Sequence, residues 1–129
     1  NLIQYSTSGV AQFMQRGAVA ALVAGDGFIA GQVERAGKAR DIVCAALAET
    51  GGRARFAVPA GAFYLFFAVD GIADSQAAAF RIVEEANVGL APGTAFGEGG
   101  EAFFRLCFHR RLDHIGEASA RLAEWIGKL

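Results

Sequence analysis

The sequence is short of the features that mark several common protein classes. Only two cysteines occur in 129 residues, Cys44 and Cys107, too few for the disulfide framework of a small secreted scaffold. Both read as small buried hydrophobes, and the chain is expected to be cytoplasmic, where thiols stay reduced. Charge of one sign is also missing. Twelve Lys and Arg stand against thirteen Asp and Glu, a formal net charge of −1, so no basic surplus is present to neutralise phosphates. The longest uncharged apolar run, residues 56–69, is shorter than a membrane span and is broken by Pro59 and Gly61. No basic leader followed by an apolar block opens the chain. Methionine occurs once, at Met14, and the first residue is Asn1, which looks like a piece of something longer.

Hydrophobic residues make up 53% of the sequence and charged residues 19%, a globular balance that suits one domain over residues 1–129. Residues 9–22 favour a helix, with Ser8 as N-cap donor and Val10, Phe13, Met14, Ala18, Ala21 and Leu22 forming one apolar stripe. A second helix is expected over residues 28–49, with Ile29, Val33, Ala36, Ile42, Val43, Ala46 and Leu47 inward, stopped by Thr50-Gly51-Gly52. Residues 55–58 and 63–69 are short, aromatic and bounded by Pro59, Gly61 and Asp70-Gly71, and read as strands. Residues 74–87 return to helical spacing through Ala77, Phe80, Val83 and Ala86. Residues 88–91 and 103–108 read as strands, and Ile115, Ala118, Leu122, Trp125 and Ile126 mark a last helix. The order is ααββαββα. An α+β layer, a small sheet covered by helices on one side, accounts for it.

The chemistry centres on Arg105. Strand alternation puts Phe103, Arg105, Cys107 and His109 on one face and Phe104, Leu106 and Phe108 on the other. A guanidinium among apolar neighbours must reach water or meet an anion. Two accounts stand open: an internal ion pair with Glu98, Glu101 or another acid, or a clamp for a ligand carboxylate. The glycine-rich turn before this strand lacks the Gly-Lys-Ser/Thr ending of a phosphate loop and leads into a strand. Ser6-Thr7-Ser8 suits a helix cap or a phosphate at a helix N-terminus. His109 and His114 lack partners at ligand spacing, so no metal site is expected. The aromatic strands lack the motif of an RNA-recognition sheet.

Three segments in register resemble the C-terminal part of the class I/II, fold-type-I aminotransferases that depend on pyridoxal 5'-phosphate. They are Pro59-Ala60-Gly61-Ala62-Phe63-Tyr64-Leu65-Phe66, then Val88-Gly89-Leu90-Ala91-Pro92-Gly93-Thr94-Ala95-Phe96-Gly97, then Glu101 through the Arg105 strand. Ser6-Thr7-Ser8 with Ala11-Gln12 resembles the start of that family's long connecting helix. The resemblance implies a mainly antiparallel sheet of the small-domain type, with the large cofactor-binding domain absent from these residues. It implies that Arg105 binds the α-carboxylate of an amino acid or 2-oxo acid, and that Phe63 lies beside the substrate or packs in the core. By the same resemblance Ser6 and Thr7 lie near the cofactor phosphate across the interface of a homodimer. The family also needs a lysine to bind the cofactor covalently. Lys38 and Lys128 are the only lysines, and neither has the family's Ser-x-x-Lys context. The chain by itself is therefore expected to be inactive. A related lyase or decarboxylase, or a non-catalytic carboxylate-binding module, remains open.

Overall fold

A computed structural model describes residues 2–7 and 9–129. The chain forms two compact units, one reaching to Glu34 and the other Arg35–Leu129. In the first, helix α1 (Leu2–Thr7) precedes α2 (Gln12–Ala24), and the long α3 (Asp26–Ala48) begins. The short α1 was not anticipated. The expected cap Ser8 lies outside the described residues, and the residue preceding α2 is Ala11, which makes no side-chain cap bond. No residue of α2 is buried, so its apolar stripe stands exposed, Phe13, Met14 and Leu22 included. Ile29 and Val33 of α3 are exposed as well.

The second unit is the α+β layer expected from the sequence. After α3 come β1 (Ala54–Phe56), β2 (Tyr64–Val69), α4 (Ser75–Ala86), β3 (Ala91–Pro92), a 3-10 helix (Gly93–Phe96), β4 (Phe103–Cys107) and α5 (Leu112–Gly127). The four strands form one antiparallel sheet in the order β1-β2-β4-β3. Helix α3 stops where the Thr50 hydroxyl donates to the Leu47 carbonyl and accepts the Ala54 N–H. Gly51 and Gly52 take the positive φ that the turn into β1 requires. Pairing in β3 is shorter than the sequence suggested. Val88 is buried against the left-handed Asn87 cap of α4, and Pro92, without an N–H, ends the ladder.

One face of the sheet is core. Leu65, Phe67 and Val69 of β2 and Phe104 and Leu106 of β4 pack with Phe108 against Ala39, Val43 and Leu47 of α3, Ile82 of α4, and Leu122, Trp125 and Ile126 of α5. The inward side of α4 differs from the expected one. Ser75, Ala78, Ala79, Ile82 and Ala86 are buried, while Phe80 and Val83 are exposed. The cause lies at the helix start. Asp74 accepts the N–H groups of Gln76 and Ala77, and Ser75 donates its N–H to Glu101 and its hydroxyl to Gly100. These bonds set the rotation of α4, and its small residues allow close approach to the sheet. Cys44 and Cys107 are free thiols, half-buried rather than buried as expected, and burial pushes the Cys44 thiol up against the opposing pull of Arg40. Among the described residues no helix is long and apolar enough to cross a membrane.

Helices α4 and α5 are tied by Trp125 Nε1, which donates to Glu85 Oε2 at 2.7 Å while Arg81 Nε donates to Oε1 at 3.0 Å. Those bonds, Arg81 first, hold the Glu85 carboxyl below its ordinary value. At the start of α5 the carboxylate of Asp113 takes two donors from Arg111 and the His114 N–H, which hold its pKa at about 2.

Two stability measurements check this account. Phe104 is fully buried, and Phe104→Ala should cost ~3–5 kcal/mol in urea unfolding. For Asp113 the folded pKa lies below the ordinary 3.8. Its contribution is therefore present above that value and is lost as pH falls toward about 2. Asp113→Asn should thus lower the unfolding midpoint near neutral pH, and the gap between the two proteins should close over that acid window.

Candidate functional site

The outer face of the sheet carries the side chains that alternate with the core. Phe103, Arg105 and Cys107 of β4 are half-buried between the buried Phe104 and Leu106. Their partners across the ladder are Ala68, Phe66 and Tyr64 of β2, and Ala91 of β3 lies on the other side of Arg105. Helices α3, α4 and α5 pack on the core face. Arg105 therefore projects from a half-exposed wall of aromatic rings, and the expected alternation of β4 is the observed one.

The Arg105 guanidinium lies against two of these rings. Its central carbon is 4.0 Å from the Phe96 ring centroid and 4.3 Å from that of Tyr64. Among the described residues it makes no ion pair and no side-chain hydrogen bond. Glu101, one expected partner, instead accepts the Gly99 N–H. The internal ion pair is therefore not what holds this arginine. A ring meets the flat face of a guanidinium and leaves its edge of N–H donors free, so the site offers a carboxylate a planar fork of unused donors.

The glycine-rich turn places Phe96. Gly93 and Gly100 face each other so closely that a Cβ on Gly93 would run into the Gly100 carbonyl and the Phe103 backbone. Gly97 and Gly99 adopt positive φ of 126° and 85°. The 3-10 helix that starts at Gly93 and ends before Gly97 carries Phe96 over Arg105, in a T-shaped contact with Phe66 at 6.2 Å, and Phe66 stacks on Phe103 at 4.9 Å. Taken by its residues alone, this turn is a long glycine-permitted turn and not a phosphate loop, and it is part of the second segment of the resemblance. The signal within it was Phe96, an aromatic residue among glycines, seven positions before the start of the arginine strand.

Phe63 stands at the rim. Its carbonyl accepts the Phe108 N–H at 3.0 Å, and its ring lies 4.6 Å from Tyr64 and 5.8 Å from His109. It is 42% exposed, so it does not belong to the core. The preceding Ala62 has φ of +59°, a costly conformation for a residue with a Cβ, and Arg40 Nη1 donates to the Pro59 carbonyl of the same loop. Ser6 and Thr7 occupy the last turn of α1 rather than a helix N-terminus. Ser6 is exposed, and the Thr7 side chain lies outside the described residues.

Each of the two lysines already has an interaction of its own. Lys128 Nζ pairs with Glu124 at 2.6 Å, and Lys38 is exposed on α3 and is not without a partner. Among the described residues no group of three or more His, Cys, Asp or Glu is placed to hold a metal. A separate cleft of about 350 Å³ lies between the end of β4 and α5, lined in part by Arg110, His114, Glu117 and Arg121. Glu117 already pairs with Arg121 there at 2.6 Å.

No family model matches the chain. Its sequence is 36% identical over 117 residues to an LL-diaminopimelate aminotransferase of Nitratidesulfovibrio vulgaris, covering 90% of this chain and 30% of that enzyme. The crystal structure of an aspartate aminotransferase from Thermotoga maritima matches with a TM-score of 0.78 and 31% identity, over 95% of this chain and 31% of that one. A Methanococcus jannaschii protein, described as similar in its active site to kynurenine aminotransferases, matches with a TM-score of 0.83 over 97% of this chain and 33% of its own. At 23% identity that likeness concerns the fold alone. The chain spans about 30% of the length of the curated relatives it matches. With an aminotransferase sequence along nine-tenths of its length and an aminotransferase fold beneath it, the chain belongs to the aminotransferase family, as part of such an enzyme.

Proposed function

We propose that this chain is the carboxylate-binding small domain of a fold-type-I aminotransferase dependent on pyridoxal 5'-phosphate. The whole enzyme moves an amino group between an amino acid and a 2-oxo acid. The observation that carries the reading is Arg105, a guanidinium with no carboxylate partner among the described residues, held against two rings on a largely aromatic face. Relatives named for LL-diaminopimelate and for aspartate differ in side chain but share an α-amino carboxylate. A clamp on that common group is what the arginine's planar donors suit.

In this reading Arg105 takes the α-carboxylate through two parallel N–H···O bonds, which fixes both the position and the plane of the bound acid. Phe63, exposed at the rim, contacts the remainder of the substrate. Pyridoxal phosphate supplies the electron sink of the reaction and is held by the large domain of the same polypeptide, since neither Lys38 nor Lys128 has the family's Ser-x-x-Lys context. Ser6 and Thr7, at the end of α1, belong near the cofactor phosphate across a homodimer interface. The exposed apolar residues of α2 suit burial by those same partners. A cytoplasmic location is part of the same account.

The test uses the full-length enzyme that carries this segment. Arg105→Ala should lower kcat/KM for amino acid and 2-oxo acid alike by ~10² or more, the loss of a bidentate charge-assisted pair. A wild-type kcat/KM in that variant would sink the clamp. The 129-residue chain alone, mixed with pyridoxal phosphate, should show no visible band beyond that of the free cofactor and no amino transfer. A new band would reassign the covalent chemistry to Lys38 or Lys128.

A further inference from the structure

An arginine that waits for a substrate faces a conflict. Left free, its long side chain loses rotamer entropy on binding. Held by an internal carboxylate, it must break that pair before it can take another. Arg105 is restrained in a third way. Its guanidinium carbon lies 4.3 Å from the Tyr64 ring, on the same face of the neighbouring strand, and 4.0 Å from the Phe96 ring, delivered by the 3-10 helix that precedes β4. Each ring is braced by another. Tyr64 packs on Phe63 at 4.6 Å, and Phe96 meets the edge or face of Phe66 at 86°. Ring faces attract the cation through its flat surface and use none of its N–H donors.

We propose that Tyr64 and Phe96 are positioning residues for Arg105, orienting its plane by cation–π contact so that its donor edge stands ready for a carboxylate. The proposal rests on the carboxylate-binding reading of Arg105 and deepens it. The two rings do not touch the substrate carboxylate; they set the plane in which it binds. Their effect falls on affinity shared by every substrate that bears the carboxylate, amino acid and 2-oxo acid alike, and not on side-chain preference. The glycine pairing of Gly93 with Gly100 is part of the same device, because it brings Phe96 within reach.

The full-length enzyme provides the test. Tyr64→Leu and Phe96→Leu should each raise KM for both substrates about five- to thirtyfold, with kcat within about twofold of wild type. Tyr64→Phe and Phe96→Tyr, which keep a ring face, should restore near-normal KM. In an Arg105→Ala background the two Leu substitutions should change KM no further. Equal effects of Leu with and without Arg105 would overturn the proposal while leaving the arginine's own role intact. An unchanged KM in Arg105→Ala would instead remove the reading beneath it. Where a Leu variant fails to fold, replacing Phe96 by its fluorinated analogues keeps the ring's shape while draining its negative face. KM should then climb with each added fluorine, and a flat series would overturn the proposal.

Discussion

The antiparallel pairing of β2 with β4 is the constraint on which the core and the site both depend. Its register sets Phe67 opposite Phe104 and Phe66 opposite Arg105. Because side chains alternate along a strand, the same ladder sends the first pair into the core and the second to the open face. A slip of one residue would bury a guanidinium with no acid beside it and expose two phenylalanines. The apolar core thus enforces the position of the charged group. Neither face can change its register without the other.

The open face resolves a tension between rigidity and readiness. Structural arginines are ordinarily fixed by carboxylates, and the surface of this chain does so repeatedly, as in Arg111 with Asp113 and Arg81 with Glu85. Those pairs consume donors, and they depress the pKa of the partner acids. Among the described residues Arg105 is held by rings alone, so its donors stay open. The cost of that arrangement is an exposed aromatic wall of Tyr64, Phe66 and Phe96. Such a surface suits an acid that brings its own apolar part, or a neighbouring domain that closes over it.

Much of this was legible in the residues. The strands β2 and β4, the alternation around Arg105 and the inward side of α5 all follow from period and residue type. The rotation of α4 was not. Both Ala77-Phe80-Val83 and Ser75-Ala78-Ile82 are valid helical stripes, and hydrophobicity favours the first. Hydrogen bonds from the Ser75 N–H and hydroxyl to the Gly100–Glu101 turn chose the second, and those bonds join residues 25 or more positions apart. Helix α2 fails differently. Its stripe is real, but nothing in its own unit buries it.

Local patterns alone determined the element types, the α+β layering and the presence of an arginine on an apolar strand, because periodicity and turn chemistry act over a few residues. Only tertiary structure decided what that arginine touches. Glu98 and Glu101 stand nearer to it in sequence than Tyr64 does, yet the carboxylate of Glu101 turns back to Gly99. Tyr64, 41 residues earlier in the chain, reaches Arg105 through strand pairing, and Phe96 reaches it through a glycine-tight turn. Sequence distance carries no information about such contacts, because antiparallel pairing and close backbone approach bring together residues that the chain itself keeps apart.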